Sequence, residues 1–367
     1  MAFAAGCSPS YRAPASSRGP TLILIDSVAL AVPDTIPLGP QLHAARGGRQ
    51  SYVLGDIERY RVLTFDSAGR FARILSTRTT ELADGRESSA PYVLPGDTLV
   101  AVHDWWQKVL RVYRIRDGRQ TAEVPADLLR LSPQPAVRGD TMYFAGVAVD
   151  FPGPVARWVV GAPSVTPIGT SPPYMRGAYV WVVYGFSGVA VRDADVVVVI
   201  ASEPGLRVVD PRGREKDGVL IRAVRRRGTP PGLYNRAAET RKRQWFQPQG
   251  SILEGLAGLP DGSLVLTYSD HDQIRPDSFP ARDSLLGNYH YYVSVVSRDL
   301  SSACLDGIIP ADSTGRATLV WHNDTVEVLN KAPTGLQKAP LWIRRYRLDT
   351  AECDWTATSR MPPLRRP

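Results

Sequence analysis

Six times along this chain an apolar, strand-like run enters a tight polar turn and a second such run leaves it. The clearest case is Arg61-Val62-Leu63-Thr64-Phe65 entering Asp66-Ser67-Ala68-Gly69-Arg70 and leaving as Phe71-Ala72-Arg73-Ile74-Leu75. The other turns begin at Asp117, Gly161, Asp210, Asp299 and Asp349, so successive starts lie 51, 44, 49, 89 and 50 residues apart. Short strands at a period of roughly 40 to 50 residues are the mark of propeller blades, because one small sheet cannot bury both faces and must stack on its neighbours. The expected fold is an all-β, six-bladed β-propeller of four-stranded antiparallel blades.

A second unit precedes the hairpins. Gly96-Asp97, Gly139-Asp140, Asp193-Ala194 and Asp261-Gly262 are turn pairs, since Gly accepts positive φ and Asp bonds its own backbone. Each is followed by a β-branched or aromatic run suited to a buried strand. Residues 49–55 supply a first-blade version and residues 313–321 a weaker sixth-blade version. Each blade then reads as turn, second strand, loop, third strand, hairpin, fourth strand. The orphan apolar run 21–30 is left to provide the outer strand of the last blade and close the ring. One domain, 21–367, follows a separate segment, 1–20, with an insertion around 219–250 inside the long 89-residue step.

The stretch 48–75, with Tyr52-Val53-Leu54-Gly55-Asp56, Arg61-Val62-Leu63-Thr64-Phe65-Asp66 and Ala68-Gly69-Arg70-Phe71, resembles a degenerate blade of the NHL-type six-bladed propellers of bacterial exported proteins. By repetition the resemblance covers about residues 21–355. That family hosts binding proteins, lactonases and lyases, so the likeness implies a fold and leaves the function open.

The net charge is +8, and the basic residues are almost all Arg, with Lys only at 108, 216, 242, 331 and 338. Such a skew fits the coding bias of a GC-rich genome better than a polyanionic partner, so nucleic acid is not an expected ligand. No stretch approaches the ~20 apolar residues that span a bilayer. Ala4-Ala5-Gly6-Cys7 looks like a lipobox, with Cys7 as the lipidated residue and 8–20 as a Ser-, Pro- and Arg-rich tether. Only six residues precede Cys7, fewer than a signal peptide needs. Either the start is misplaced and the protein is periplasmic or at the cell surface, held by lipid alone, or the match is chance and the protein is cytoplasmic.

In an oxidising compartment Cys304 and Cys353 remain as a pair. Both follow the hairpins of neighbouring blades, and equivalent outer strands are too far apart for a disulfide. The objection weakens if the C-terminal tail turns back toward Cys304. Two separately buried thiols are the alternative.

Polar residues recur at the end of each expected second strand: Asp56, His103-Asp104, Asp150, Ser202-Glu203, Asp270-His271 and His322-Asn323. If these loops share one rim, His103, Asp104, Asp150, Glu203, Asp270, His271 and His322 form a ligand set for a divalent cation or a cationic group. The plainer reading is that such side chains terminate strands by bonding nearby amides. No H-E-x-x-H, G-x-S-x-G, P-loop or C-x-x-C occurs. The insertion, with Arg225-Arg226-Arg227, Tyr234, Arg241-Lys242-Arg243 and Trp245, combines charge and stacking suited to a phosphate, carboxylate or glycan. The expected function is noncatalytic binding, by a monomer, of a small ligand, glycan or envelope protein. The rival is a metal-dependent lactonase-like hydrolase in which a cation at the channel mouth polarises a carbonyl and activates water.

Overall fold

The computed structural model describes residues 18–39, 42–47, 51–56, 59, 61–76, 90–104, 107–126, 130–131, 134–147, 153–169, 188–200, 203–221, 252–271, 289–311, 317–330 and 341–361. Among them there is no helix, and the strands form six antiparallel sheets arranged as a six-bladed β-propeller. The first strand, β1 (Thr21–Leu30), is set aside for the last blade. Blade 1 runs from the axis outward as β2 (Leu42–Gly47), β3 (Ser51–Asp56), β4 (Arg61–Asp66) and β5 (Phe71–Ser76). Blade 2 is β6 (Ala90–Val93), β7 (Leu99–Asp104), β8 (Val109–Arg114) and β9 (Gln120–Pro125). In blade 3 the innermost position is split between β10 (Arg130–Leu131) and β11 (Ala136–Arg138), both paired with β12 (Thr141–Val147). β13 (Val155–Val159) and β14 (Thr166–Ile168) complete it.

Blade 4 is β15 (Gly188–Arg192), β16 (Asp195–Val199), β17 (Gly205–Val209) and β18 (Glu215–Leu220). Blade 5 is β19 (Ile252–Gly258), β20 (Leu264–His271), β21 (Tyr289–Val296) and β22 (Ser302–Ile309). Blade 6 is β23 (Ala317–His322), β24 (Thr325–Asn330) and β25 (Leu341–Asp349), with β1 as its outer strand. Two short strands from the C-terminal tail add fifth positions: β26 (Thr356–Ala357) on β22, and β27 (Ser359–Arg360) on β18.

The core explains why the strand sequences are continuous apolar runs rather than strict alternations. A blade is covered on both faces, so successive residues on either side of the pleat are buried, as Val196, Val197, Val198 and Val199 are. The buried apolar residues fall into six clusters, and each spans one blade-to-blade interface. Tyr92 and Ala101 of blade 2 pack with Phe144 and Trp158 of blade 3, and Val197 and Leu206 of blade 4 with Leu256 and Tyr268 of blade 5. The sixth cluster joins Leu329 and Ile343 to Leu30, Leu54 and Phe65, so the ring closes between blades 6 and 1. β1 pairs with β25 from Thr21 opposite Asp349 to Leu30 opposite Leu341, as the orphan run 21–30 implied.

The hairpin signature has a local cause. In blade 1 the Asp66 carboxylate accepts the amides of Ala68 and Arg70 and the guanidinium of Arg70. Asp210 does the same with Arg212 and Arg214 in blade 4. Gly69 and Gly213 sit at positive φ in these turns, and each lies against the preceding blade's outer strand or its end. A side chain at Gly69 would collide with the Ala29 carbonyl, and one at Gly213 with the Gly169 amide. One glycine thus serves both the turn and the blade contact.

After Asp349 the chain runs back along the outside of blade 5 and then blade 4. Cys353 is joined to Cys304 on β22 with Cα atoms 5.8 Å apart. Because Cys353 belongs to this returning tail and not to an outer strand of blade 6, the separation that argued against the bond does not arise. The insertion in the long step starts later than 219, since Val219 and Leu220 belong to β18 and Val219 and Ile221 are core residues.

Candidate functional site

The two ends of the ring differ. On one end lie the turns between first and second strands and the hairpins between third and fourth, none longer than the six residues between Val159 and Thr166. The other end receives the loops between second and third strands and the connections between blades. There the joins 77–89, 169–187, 221–251, 272–288 and 331–340 all begin and end. We refer to these as the turn face and the loop face. Long connections on a rigid scaffold are where binding groups are usually carried.

Asp56, His103, Asp104, Glu203, Asp270 and His271 lie at the loop-face ends of second strands or directly after them, as expected. His322 does not. It ends β23, the innermost strand of blade 6, and lies in the turn leading to β24, on the turn face with Asn323 and Asp324. Within the run 313–321, expected as a second strand, residues 317–321 belong to a first strand, and the loop-face position in blade 6 falls to Asn330. Asp150 lies outside the described residues, as do Cys7, residues 222–250 and the side chain of His271.

The loop-face carboxylates have partners within their own blades. The buried Asp56 accepts from Arg61 Nε at 3.1 Å and from the Gly39 amide at 3.2 Å. Asp104 accepts from Arg111 at 2.9 Å and from the Gln107 amide at 3.0 Å, while Arg111 also reaches Glu123 on the outer strand at 3.0 Å. Glu203 takes both arms of Arg207, at 2.6 and 2.8 Å, and the third nitrogen of Arg207 reaches Glu215 at 2.6 Å. A strand-end carboxylate, a third-strand arginine and, in blades 2 and 4, a fourth-strand glutamate form a lock inside the blade. Forked guanidinium contacts of this kind hold geometry as well as charge. Burial pushes the Asp56 carboxyl above its ordinary range even with Arg61 beside it.

Blade 5 differs. Asp270 is buried on β20 opposite His290 on β21, and His271 stands opposite Tyr289. One residue earlier, Ser269 Oγ donates to Glu254 of the innermost strand at 2.6 Å. This is the one described blade end where histidine and aspartate strand positions face each other. Among the described residues no three His, Cys, Asp or Glu side chains gather closely enough to hold a metal ion.

A contact that no sequence pattern announces crosses the ring. Between β10 and β11 the innermost strand of blade 3 is interrupted, and Gln134 reaches the innermost strand of the opposite blade. Its Nε2 donates to the Trp321 carbonyl at 2.7 Å, and its Oε1 accepts from the Trp321 amide at 3.0 Å. The free edge of β23 is thereby satisfied by a side-chain amide in place of another strand. Trp321 is next to last in β23, so the bridge lies toward the turn-face end of that strand.

No protein-family model matches the chain, and no curated protein matches it. Solved structures do. A member of the DUF4221 family from Bacteroides vulgatus superposes with a TM-score of 0.63 at 11% identity, covering 91% of this chain and 99% of that one. A candidate exported protein from Bacteroides fragilis superposes at 0.56 with 8% identity, covering 89% and 95%. A gluconolactonase from Xanthomonas campestris scores 0.44 at 11% identity, covering 90% and 99%, a likeness too slight to carry an argument. At such identities the first two show the fold alone.

Proposed function

We propose that this protein is a noncatalytic binding propeller of the NHL-like kind, exported and tethered through lipid on Cys7, that holds a small ligand, a glycan or an envelope protein on its loop face. The observation that carries the reading is the asymmetry of the ring: every long connection opens on one face, while Asp56, Asp104 and Glu203 at the strand ends of blades 1, 2 and 4 are already held by arginine. A carboxylate locked to a guanidinium is a poor general base and a poor metal ligand, because either task requires breaking the pair. The lock serves a scaffold that must present loops without moving. Export is supported by the candidate exported protein among the structural neighbours and by the lipobox-like Ala4-Ala5-Gly6-Cys7.

The lactonase-like reading is favoured by one place, the blade 5 end with Asp270, His271 and His290. Protein purified without chelator should carry no stoichiometric metal and turn over no member of a lactone panel. Metal-stimulated hydrolysis that disappears in Asp270→Asn/His271→Ala would replace the binding reading with the enzymatic one.

A further inference from the structure

Among the described residues, exposed apolar side chains are commonest on the outer parts of blades 5 and 6. Nine large apolar side chains among the described residues are exposed, and six of them, Ile23, Leu24, Ile25, Ile308, Trp342 and Trp355, belong to the outer parts of blades 5 and 6. The remaining three, Ile74, Val137 and Val159, are scattered over blades 1 and 3. Leu24 is 56% exposed and Ile308 71%, values without a structural reason in a closed ring. β1 carries a bulge here: Leu24 pairs with Tyr346 and Asp26 with Arg345, which leaves Ile25 as the extra residue.

The same edge holds residues 18–20, the first of the described residues. The Arg18 carbonyl accepts the Asp354 amide at 2.9 Å, next to Trp355. Pro20 lies against Gly307, next to Ile308, closely enough that a side chain on Gly307 would strike its carbonyl. Ile23, Leu24 and Ile25 follow directly. Three exposed apolar groups from separate segments therefore surround residues 18–20, and Cys304–Cys353 fixes the tail beside them. Apolar side chains exposed along one edge in this way suit a contact with another body.

We propose that this outer edge of blades 5 and 6 rests on the surface of a phospholipid bilayer. The proposal rests on the tethered reading above for its geometry. Cys7 is eleven residues before Arg18, and such a segment reaches at most about 40 Å when fully extended. A lipid anchor on Cys7 would keep this edge, rather than the opposite side of the ring, close to the headgroups. The side chains suit that boundary. Trp342 and Trp355 carry an apolar body with a polar edge, and the exposed Arg344 and Arg347 stand opposite Ser27 and Ile23 on β1. The nearby acids are engaged: Glu352 and Asp354 bond Arg18, and Asp26 bonds Arg345. An apolar contact beside the anchor adds its own buried area to the affinity for the membrane. With its edge on the bilayer, the loop face stays open to solution.

The test uses the full chain carrying Cys7→Ser, so that no lipid contributes, and sedimentation with phosphatidylglycerol/phosphatidylcholine vesicles. The protein should co-sediment, and Leu24→Ser/Ile25→Ser should weaken partitioning by roughly tenfold or more. Trp355→Ala should weaken it too, while Ile74→Ser, exposed on blade 1, should leave it unchanged. Circular dichroism melts confirm that each variant is folded. Equal sedimentation of parent and Leu24→Ser/Ile25→Ser, or none by the parent, overturns the proposal. Self-association by light scattering that the same variants abolish, with no vesicle binding, overturns it in favour of a second copy on this surface. Mass spectrometry of protein from the native envelope reports separately on Cys7: an unmodified cysteine with vesicle binding intact removes the tether and keeps the docking edge, and an acylated cysteine without vesicle binding does the reverse.

Discussion

Gln134 of blade 3 and Trp321 of blade 6 are joined across the ring by a pair of hydrogen bonds, one donated and one accepted by the same side-chain amide. Opposite blades of a propeller otherwise meet only through the blades between them. Gln134→Ala leaves an amide and a carbonyl of Trp321 without these partners. A loss of about 1–3 kcal/mol in chemical denaturation is expected, since unsatisfied groups cost more than a hydrogen bond contributes. Gln134→Glu, which places a carboxylate against the carbonyl, should cost at least as much. Stability within error of the parent for both variants would mean that the bridge is incidental.

The lock in blade 4 makes a contrast between two arginines. Arg207 is buried between Glu203 and Glu215, whereas Arg70 is an exposed partner of Asp66. Arg207→Ala strands two carboxylates and should cost about 3–5 kcal/mol. Arg70→Ala should cost less than about 1 kcal/mol. Urea titration of both variants checks the ranking, and comparable losses would show that the locks are ordinary surface pairs.

Acid stability should be governed by the hairpins. Hydrogen bonds from the Arg70, Arg119 and Arg214 amides lower the carboxyls of Asp66, Asp117 and Asp210, and bonds from Ser297 and Ser301 hold Asp299 down at about 2. A depressed carboxyl contributes stability that is present above its unfolded value, 3.8 for Asp299, and lost as pH falls through the folded value. Melting temperature should therefore drop between about pH 4 and about pH 2, and Asp299→Asn should flatten that limb. Asp56, raised by burial, acts with the opposite sign, its contribution fading as pH rises through its folded value. An acid limb of the same steepness in Asp299→Asn would remove that turn from the account.

Most of this architecture is written in local pattern, and the exceptions are instructive. Asn323-Asp324-Thr325-Val326 repeats Gly96-Asp97-Thr98-Leu99, with positive φ at Asn323, Gly96 and Asp97. The true second strand of blade 6 was therefore legible. It was displaced by the run ending at Trp321, because a first strand is as apolar as a second. The arginine locks become visible only after strands are aligned, when Leu110-Arg111 and Leu206-Arg207 fall at one position; neither shows in composition or spacing. The two-residue strands β26 and β27 are too short to carry a period. Gln134 had no signal at all, since its partner is 187 residues away on the far side of the ring.

The central claim is that the loop face binds and the turn face does not. Photo-crosslinking residues placed in cells at Arg59 and Gln107, exposed on the loop face, and at Ser67 and Asn323, exposed on the turn face, put the two faces in direct comparison. Adducts with a ligand, glycan or envelope protein from the first pair and none from the second are the expected result; adducts from the turn face alone, or from neither face, would contradict it.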